Sequence, residues 1–217
     1  MRKLVIVGCG PGHREYLTAI AEKKIREAQV LIGPNKLLEN FPEFPGERIA
    51  LQGNYRETTG LLLSWYKEKN TVVLVTGDPG IYSYARIIIE TVGPENCEII
   101  PGISSIQLAF ARLGMTWDDA VIISLHGKQI EDHTLIDQIT RHPKLVLLTD
   151  EENSAARISQ LLSQYGIKRC PAYICQDLSL PTEQIWQTDT IEMAKLKPNP
   201  LNLIIILNTQ AEMAIHR

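Results

Sequence analysis

Residues able to take part in chemistry follow a predicted buried strand near the middle of this sequence. The apolar, mostly β-branched residues 72–75 predict the strand, and Thr-Gly-Asp-Pro-Gly at residues 76–80 predicts a tight turn with one carboxylate. A helix is expected to follow at residues 81–90. In an open α/β sheet, ligands bind at the carboxyl ends of the strands. Asp78 therefore either accepts hydrogen bonds from a ligand or binds only nearby backbone amides.

A second glycine-rich turn, Gly-Cys-Gly-Pro-Gly at residues 8–12, follows a predicted strand at residues 3–7. It partly matches the dinucleotide-binding pattern G-x-G-x-x-G, but the last glycine is replaced by His13 and Pro11 removes a backbone donor. No acidic residue ends the next predicted strand, residues 30–32. A nicotinamide-dependent oxidoreductase is therefore only an alternative. With no activating partner in view, the cysteine of this turn is interpreted as a small apolar filler.

A third turn, Pro-Gly-Ile-Ser-Ser at residues 101–105, follows a short predicted strand at residues 98–100. Ser104 and Gln107 have the spacing of a capping box for a helix that runs to Leu113. Strands that repeatedly end in a glycine turn and feed a helix are typical of a mostly parallel sheet.

Histidines and basic residues supply further candidates. His126 ends a predicted strand at residues 120–125, where it either faces a substrate, binding a carboxylate or moving a proton, or is a partly buried, hydrogen-bonded histidine. Arg86, Arg112 and Lys128 are either ligands for substrate acid groups or solvated surface charges. The spacing of His126, His133 and His142 does not fit a metal site, so no metal is expected.

The composition limits the possible classes of protein. With 217 residues, 44% hydrophobic and 22% charged, the chain is typical of a globular protein of one or two domains. A net charge of −3 argues against nucleic acid as a partner. Apolar runs are too short to span a bilayer, so no membrane association is expected. The four cysteines lack C-x-x-C spacing, which favours reduced thiols and a cytoplasmic location.

The order of predicted elements divides the chain in two. Residues 1–114 alternate strands and helices, one of the helices at residues 57–68, and predict an α/β domain with a mostly parallel sheet. Residues 115–217 predict a second α/β domain with a mixed sheet. The best linker is residues 114–119. Within the second domain, a helix capped by Asn153 is also expected.

Four motifs occur in a characteristic order: residues 8–12, residues 77–79 with Tyr82, residues 101–105, and Asn199-Pro200 before the last strand. In this respect the whole chain resembles the tetrapyrrole (corrin/porphyrin) methylases, S-adenosylmethionine (SAM)-dependent enzymes of cobalamin and sirohaem synthesis. The segments most similar to the members that methylate C5 of cobalt-precorrin-7 or the related precorrin are residues 16–18, 101–113 with 117–120, and 124–128.

The resemblance implies a two-domain fold with SAM bound in the cleft between the domains and S-adenosylhomocysteine as product. It implies a cofactor-binding role for Asp78, and it leaves His126 as the catalytic candidate. Relatives often carry glycine where Asp177 or Leu178 stands. The implied cofactor-binding residues are Gly77, Asp78, Ile81, Ser104, Ser105, Thr149, Asp177, Leu178, Pro200 and Leu201.

The resemblance also implies partners. The substrate is a corrinoid precursor, with or without cobalt, and a homodimer is expected. Some relatives carry a fused decarboxylase domain; because this sequence ends at Arg217, that activity is expected on a separate protein. Two alternatives remain open beside the oxidoreductase: a sibling methylase that acts on another macrocycle carbon, and a binding module without activity.

Overall fold

The computed structural model describes residues 2–51, 62, 65–127 and 130–208. The chain forms two compact units, Met1–Ser105 and Ile106–Arg217. The domain boundary expected near residue 114 stays a prediction. Residues 65–68 are helical, and most of the helix predicted at residues 57–68 lies outside the described residues.

The first unit is built on a parallel sheet. Its strands are β1 (Leu4–Gly8), β2 (Val30–Gly33), β3 (Glu47–Ala50), β4 (Thr71–Val75) and β5 (Cys97–Ile100). They lie in the order β3-β2-β4-β1-β5, and every pair is parallel. Both faces are covered, because Leu4 and Ile6 belong to one apolar cluster and Val7 to another. Burial on two faces explains why these strands read as continuous apolar runs.

Helices connect the strands of the first unit. They are α1 (Ala19–Arg26), α2 (Asn35–Leu38) and α3 (Ala85–Val92), with short 3-10 helices at Arg14–Tyr16 and Pro94–Asn96. The side chain of Thr18 caps α1 by accepting the Ala21 N–H at 3.2 Å. A helix start at Ile81 was expected and is wrong: Tyr82 has φ +46°, a left-handed conformation that helices exclude, and α3 begins at Ala85.

The second unit begins within α4 (Ser105–Leu113) and is built on a mixed sheet. Its elements are β6 (Ala120–Ser124), α5 (Asp132–Arg141), β7 (Lys144–Leu148), α6 (Ala155–Gln164), β8 (Pro171–Gln176), β9 (Gln184–Asp189), a 3-10 helix at Glu192–Lys195, and β10 (Leu203–Leu207). The order is β6-β7-β10-β8-β9. Among the described strands of this second sheet, only β6 and β7 pair in parallel, which confirms the expected mixed sheet.

The cap of α6 differs from the expectation by one residue. Ser154, not Asn153, is the N-cap, and its hydroxyl accepts the Arg157 N–H at 3.3 Å. Asn153 instead donates its side-chain amide to Leu125 O at 3.2 Å and to Asp150 Oδ1 at 2.9 Å. It therefore joins the ends of β6 and β7. Among the described residues, no helix combines the length and apolar character needed to cross a membrane.

Candidate functional site

Three turns meet at one edge of the parallel sheet. Gly8 pairs with Val75, and Val7 with Ile100, so β1, β4 and β5 end at the same level. Beyond these ends, Gly10 and Gly77 exchange backbone hydrogen bonds of 3.3 and 2.8 Å. The fold thus brings together three motifs that lie far apart in the sequence.

The contact between the turns leaves no room for side chains. A Cβ on Gly8 would lie 2.6 Å from Gly77 O and 2.7 Å from Gly102 N. A Cβ on Gly102 would collide with the same carbonyl and with the backbone of Gly8. Gly77 has φ +67°, a left-handed conformation that glycine adopts without steric penalty because it has no Cβ. The backbone therefore forms a compact floor at the carboxyl ends of the strands, where α/β sheets bind ligands.

The carboxylate of Asp78 holds two of these turns together. Its Oδ1 accepts the Gly80 N–H at 2.7 Å, and its Oδ2 accepts the Gly102 N–H at 3.0 Å. The structure therefore shows a structural role for Asp78 across two turns. A hydrogen bond from Asp78 to a ligand stays a prediction.

The other predicted residues of the first unit surround this turn. Ser104 is 7% exposed, and its Cα lies 3.7 Å from the position of a Cβ on Gly77. Ser105 is the first residue of α4, where backbone N–H groups and the helix dipole favour electronegative ligand atoms. Ile81 is half-buried, and its N–H donates to Asp78 O at 3.4 Å. Both polar and apolar side chains are thus available beside the glycine floor.

The predicted residues of the second unit fall into two joined groups, and the first is centred on Thr149. This residue is 2% exposed, and its hydroxyl donates to Pro200 O at 2.8 Å and accepts the Asn202 N–H at 3.1 Å. Leu201, between these partners, is 65% exposed. Thr149 therefore holds a loop whose apolar tip is free to contact a ligand.

The second group is the loop after β8. Asp177 has φ +50°, and its Oδ2 accepts hydrogen bonds from Gln176, Thr182 and Asn199 at 3.1–3.3 Å. Asp is among the few residues besides glycine that tolerate a left-handed conformation. Leu178 is buried at 4% exposure, so little of this residue is accessible.

His126 lies in an exposed turn after β6, which excludes the expectation of a partly buried histidine. The next residue, Gly127, donates its N–H to Asp150 Oδ2 at 2.8 Å. Burial raises the pKa of Asp150, but hydrogen bonds from Asn153 and Gly127 and the nearby charge of His126 lower it overall. The imidazole is thus accessible, and it lies near the Asp150 carboxylate, which stays ionised at neutral pH.

The basic candidates differ in their surroundings. Arg86 forms an exposed ion pair with Glu90 on α3, with 2.8 Å between Nε and Oε1. Arg112 pairs with Glu183 at the same distance. Lys128 lies outside the described residues. Both arginines therefore have acidic partners within the chain.

The thiols are buried and poorly suited to act as nucleophiles. Burial raises the pKa of Cys9 to about 12, and the Cys9 N–H donates to Val75 O at 2.8 Å. All four cysteines are free and buried. In the described part of the chain, no three His, Cys, Asp or Glu side chains cluster as a metal site would require. Because the Cys9 N–H is bonded to the last residue of β4 and the Gly10 N–H to the Gly77 turn, they are also poor donors for a dinucleotide pyrophosphate.

Several residues that hold the candidate loops of the second unit were not found from the sequence. Asn202 follows the Asn-Pro motif closely enough to have been included, and its Oδ1 is buried without a partner among the described residues. Asp150 directly follows Thr149, so its position in the sequence could also have suggested it. Gln176 and Glu183 were missed because each also bonds to a partner that is distant in the sequence, Asn199 and Arg112 respectively.

Solved structures of methyltransferases share this fold. Uroporphyrin-III C-methyltransferase from Thermus thermophilus complexed with S-adenyl homocysteine has a TM-score of 0.78 at 22% identity, covering 96% of this chain and 98% of the other. The precorrin-6Y methylase from Archaeoglobus fulgidus has a TM-score of 0.72 at 19% identity, covering 95% and 97%. These likenesses confirm the expected α/β fold class.

The chain belongs to the tetrapyrrole (corrin/porphyrin) methylases, whose family model matches residues 3–194. The cobalt-precorrin-7 C(5)-methyltransferase of Salmonella typhimurium is 32% identical over 84% of this chain and 88% of its own length. A probable enzyme of the same name from Methanocaldococcus jannaschii is 33% identical over 84% and 87%. Membership confirms the expected SAM-dependent methyltransferase class.

Proposed function

We propose that the chain transfers a methyl group from SAM to C5 of cobalt-precorrin-7 or the related precorrin in cobalamin synthesis. The observation that carries this proposal is the extent of the match: similarity to the C(5)-methyltransferases runs over 84% of the chain. A cobalt-precorrin-4 C(11)-methyltransferase from M. jannaschii is 34% identical, but over only 52% of the chain.

The residues present fit a SAM molecule. In the first unit, the turns at Gly8, Gly77 and Gly102 pack into a compact floor beneath the proposed site, and Ser104 and Ser105 offer hydroxyl groups. In the second unit, the predicted contacts are the exposed Leu201 and the backbone beside Thr149, Asp177, Leu178 and Pro200.

When bound, SAM would supply an electrophilic methyl group from its sulfonium to an electron-rich macrocycle carbon, with S-adenosylhomocysteine as the leaving group. The transfer would move the positive charge from the sulfonium to the macrocycle, which disperses it or releases a proton, so a dry environment around the sulfonium favours it. Apolar side chains such as Ile81, Ile103 and Leu201 exclude water, while the turns fix the position of the reacting groups. Orientation of this kind lowers barriers by about 7–11 kcal/mol. The accessible His126 is the group proposed to bind a substrate carboxylate or to move a proton.

The test is anaerobic incubation with isotope-labelled SAM and either cobalt-precorrin-7 or its metal-free counterpart, followed by NMR of the product. The expected result is label at C5, and the preferred substrate shows whether cobalt is required. Label at another carbon would identify the sibling methylase instead. A chain that binds neither SAM nor its product would be the inactive binding module.

Three further parts of the proposal concern the setting of the enzyme. A cytoplasmic location is supported by four free, buried thiols. A homodimer is proposed from the family and is checked by light scattering on the purified protein. We also propose that a separate precorrin decarboxylase acts in the same pathway, as the family resemblance implies. Release of labelled carbon dioxide from a labelled substrate, with this protein as the only enzyme present, would contradict that part.

A further inference from the structure

The loop between β8 and β9, residues 177–183, has an unusual backbone. Both Asp177 and Ser179 are left-handed, with φ +50° and φ +75°, although neither is glycine. Such conformations cost about 1–2 kcal/mol for an ordinary residue, so they persist where other contacts stabilise them. Internal bonds, Leu180 N–H to Asp177 O and Glu183 N–H to Leu180 O, each 2.9 Å, shape the loop but do not hold it to the rest of the unit.

Glu183 joins the loop to α4 through both carboxylate oxygens. Oε2 accepts the Ser179 N–H at 2.6 Å, directly at one left-handed residue. Oε1 accepts from Arg112 Nε at 2.8 Å, and Oε2 also lies 3.4 Å from Arg112 Nη2. The pair is bidentate, which fixes the orientation of the Glu183 carboxylate better than a single hydrogen bond would. The side chain of Glu183 is 22% exposed and that of Arg112 40%, so solvent screens the pair only in part.

We propose that Glu183, held by Arg112, is a positioning residue for the methyl donor: it keeps the Asp177–Leu178 backbone in the conformation that binds the donor. This inference rests on the proposed donor contacts of that loop. Without Glu183, the Ser179 amide loses its carboxylate acceptor and the left-handed residues lose their link to α4.

The experiment measures S-adenosylhomocysteine binding by calorimetry and steady-state kinetics with SAM. We expect Glu183→Ala to raise Kd and the KM for SAM about tenfold, equivalent to about 1.4 kcal/mol, with little change in kcat. Arg112→Met leaves the bond from Ser179 to Glu183 intact and is expected to raise Kd by less. Glu183→Gln keeps an acceptor for Ser179 and is expected to lie between wild type and Glu183→Ala.

The matched control is Asp137→Ala, which removes the exposed pair between Arg141 Nε and Asp137 Oδ1, 2.7 Å apart, from the same unit. It should leave Kd unchanged. Hydrogen exchange over residues 177–183 gives an independent readout, since protection of the loop should fall in Glu183→Ala and not in the control.

The possible outcomes distinguish a failure of the proposed function from a failure of the positioning role of Glu183. If the wild type does not bind S-adenosylhomocysteine, the proposed function fails and the inference fails with it. If the wild type binds and Glu183→Ala binds equally well below its melting temperature, the positioning role alone is refuted, even where stability has fallen. If Glu183→Ala does not fold, Arg112→Met provides the test: a raised Kd supports the positioning role, and an unchanged Kd refutes it.

Discussion

The carboxylate of Asp78 accepts the N–H of Gly102 across 24 residues of sequence, at 3.0 Å, while it also binds Gly80 within its own turn. One side chain therefore fixes the spacing between the turns that follow β4 and β5. Stability and donor binding should depend together on Asp78, because the turns that it joins form the floor of the proposed site.

We expect Asp78→Ala to lower the free energy of unfolding by about 1–3 kcal/mol, since two amides lose a charged acceptor. Affinity for S-adenosylhomocysteine should fall as well. Asp78→Asn retains one side-chain oxygen and should give an intermediate loss of both. Urea unfolding and calorimetry measure the two effects. A fall in stability with full affinity would leave Asp78 a purely structural residue.

Close packing makes a second prediction, at Gly8. A Cβ there would lie within 2.7 Å of backbone atoms of Gly77 and Gly102, which cannot rotate away. We expect Gly8→Ala to destabilise the protein by about 1–3 kcal/mol and to abolish donor binding, because the turns must separate.

The control for Gly8→Ala is Gly166→Ala. Gly166 has φ +67° but no atom within 4 Å of an added Cβ, so this change imposes only the backbone penalty. It should cost about 1 kcal/mol and leave donor affinity unchanged. Equal effects of the two variants on binding would contradict the steric explanation.

Much of the sheet architecture could be predicted from sequence because buried strands and glycine turns leave local signals. The runs at β1 and β4 and the turns after them are such cases. The left-handed Tyr82 has no comparable signal, so the start of α3 was misplaced. The pair of Arg112 and Glu183 spans 71 residues, and only the fold brings it together.

The pH dependence of stability offers a third prediction. The hydrogen bond from Arg112 is the main cause that holds the pKa of Glu183 below its ordinary value of 4.5. The folded state therefore binds this proton less readily than the unfolded state. The contribution of Glu183 is fully present above the unfolded pKa and is lost as the pH falls through the folded pKa.

We expect the difference in unfolding free energy between wild type and Glu183→Gln to be constant near neutral pH and to shrink as the pH falls below 4.5. Urea unfolding of both proteins across this range provides the measurement. A difference that stays constant into strongly acidic solution would show that the carboxylate charge does not stabilise the fold.

His126 gives a fourth prediction. Because the side chain is exposed, His126→Gln should change stability by less than about 0.5 kcal/mol. If the imidazole moves a proton in the reaction, kcat should fall by about a hundredfold or more while S-adenosylhomocysteine affinity stays the same. Stopped-assay kinetics and calorimetry separate these effects. Wild-type kcat in the variant would remove His126 from the catalytic machinery.

Leu201 gives the sharpest test of the second-unit contacts, because its side chain is 65% exposed and contributes little to the core. Leu201→Ala should alter the free energy of unfolding by no more than about 0.5 kcal/mol. If the side chain covers the donor, Kd for S-adenosylhomocysteine should rise by about tenfold, in line with about 1.5 kcal/mol of lost apolar burial. Ile191→Ala, at a residue 46% exposed in the same unit, is the control and should leave Kd unchanged. Parallel rises in both variants would point to a general loss of structure, whereas no rise in either would place the donor away from Leu201.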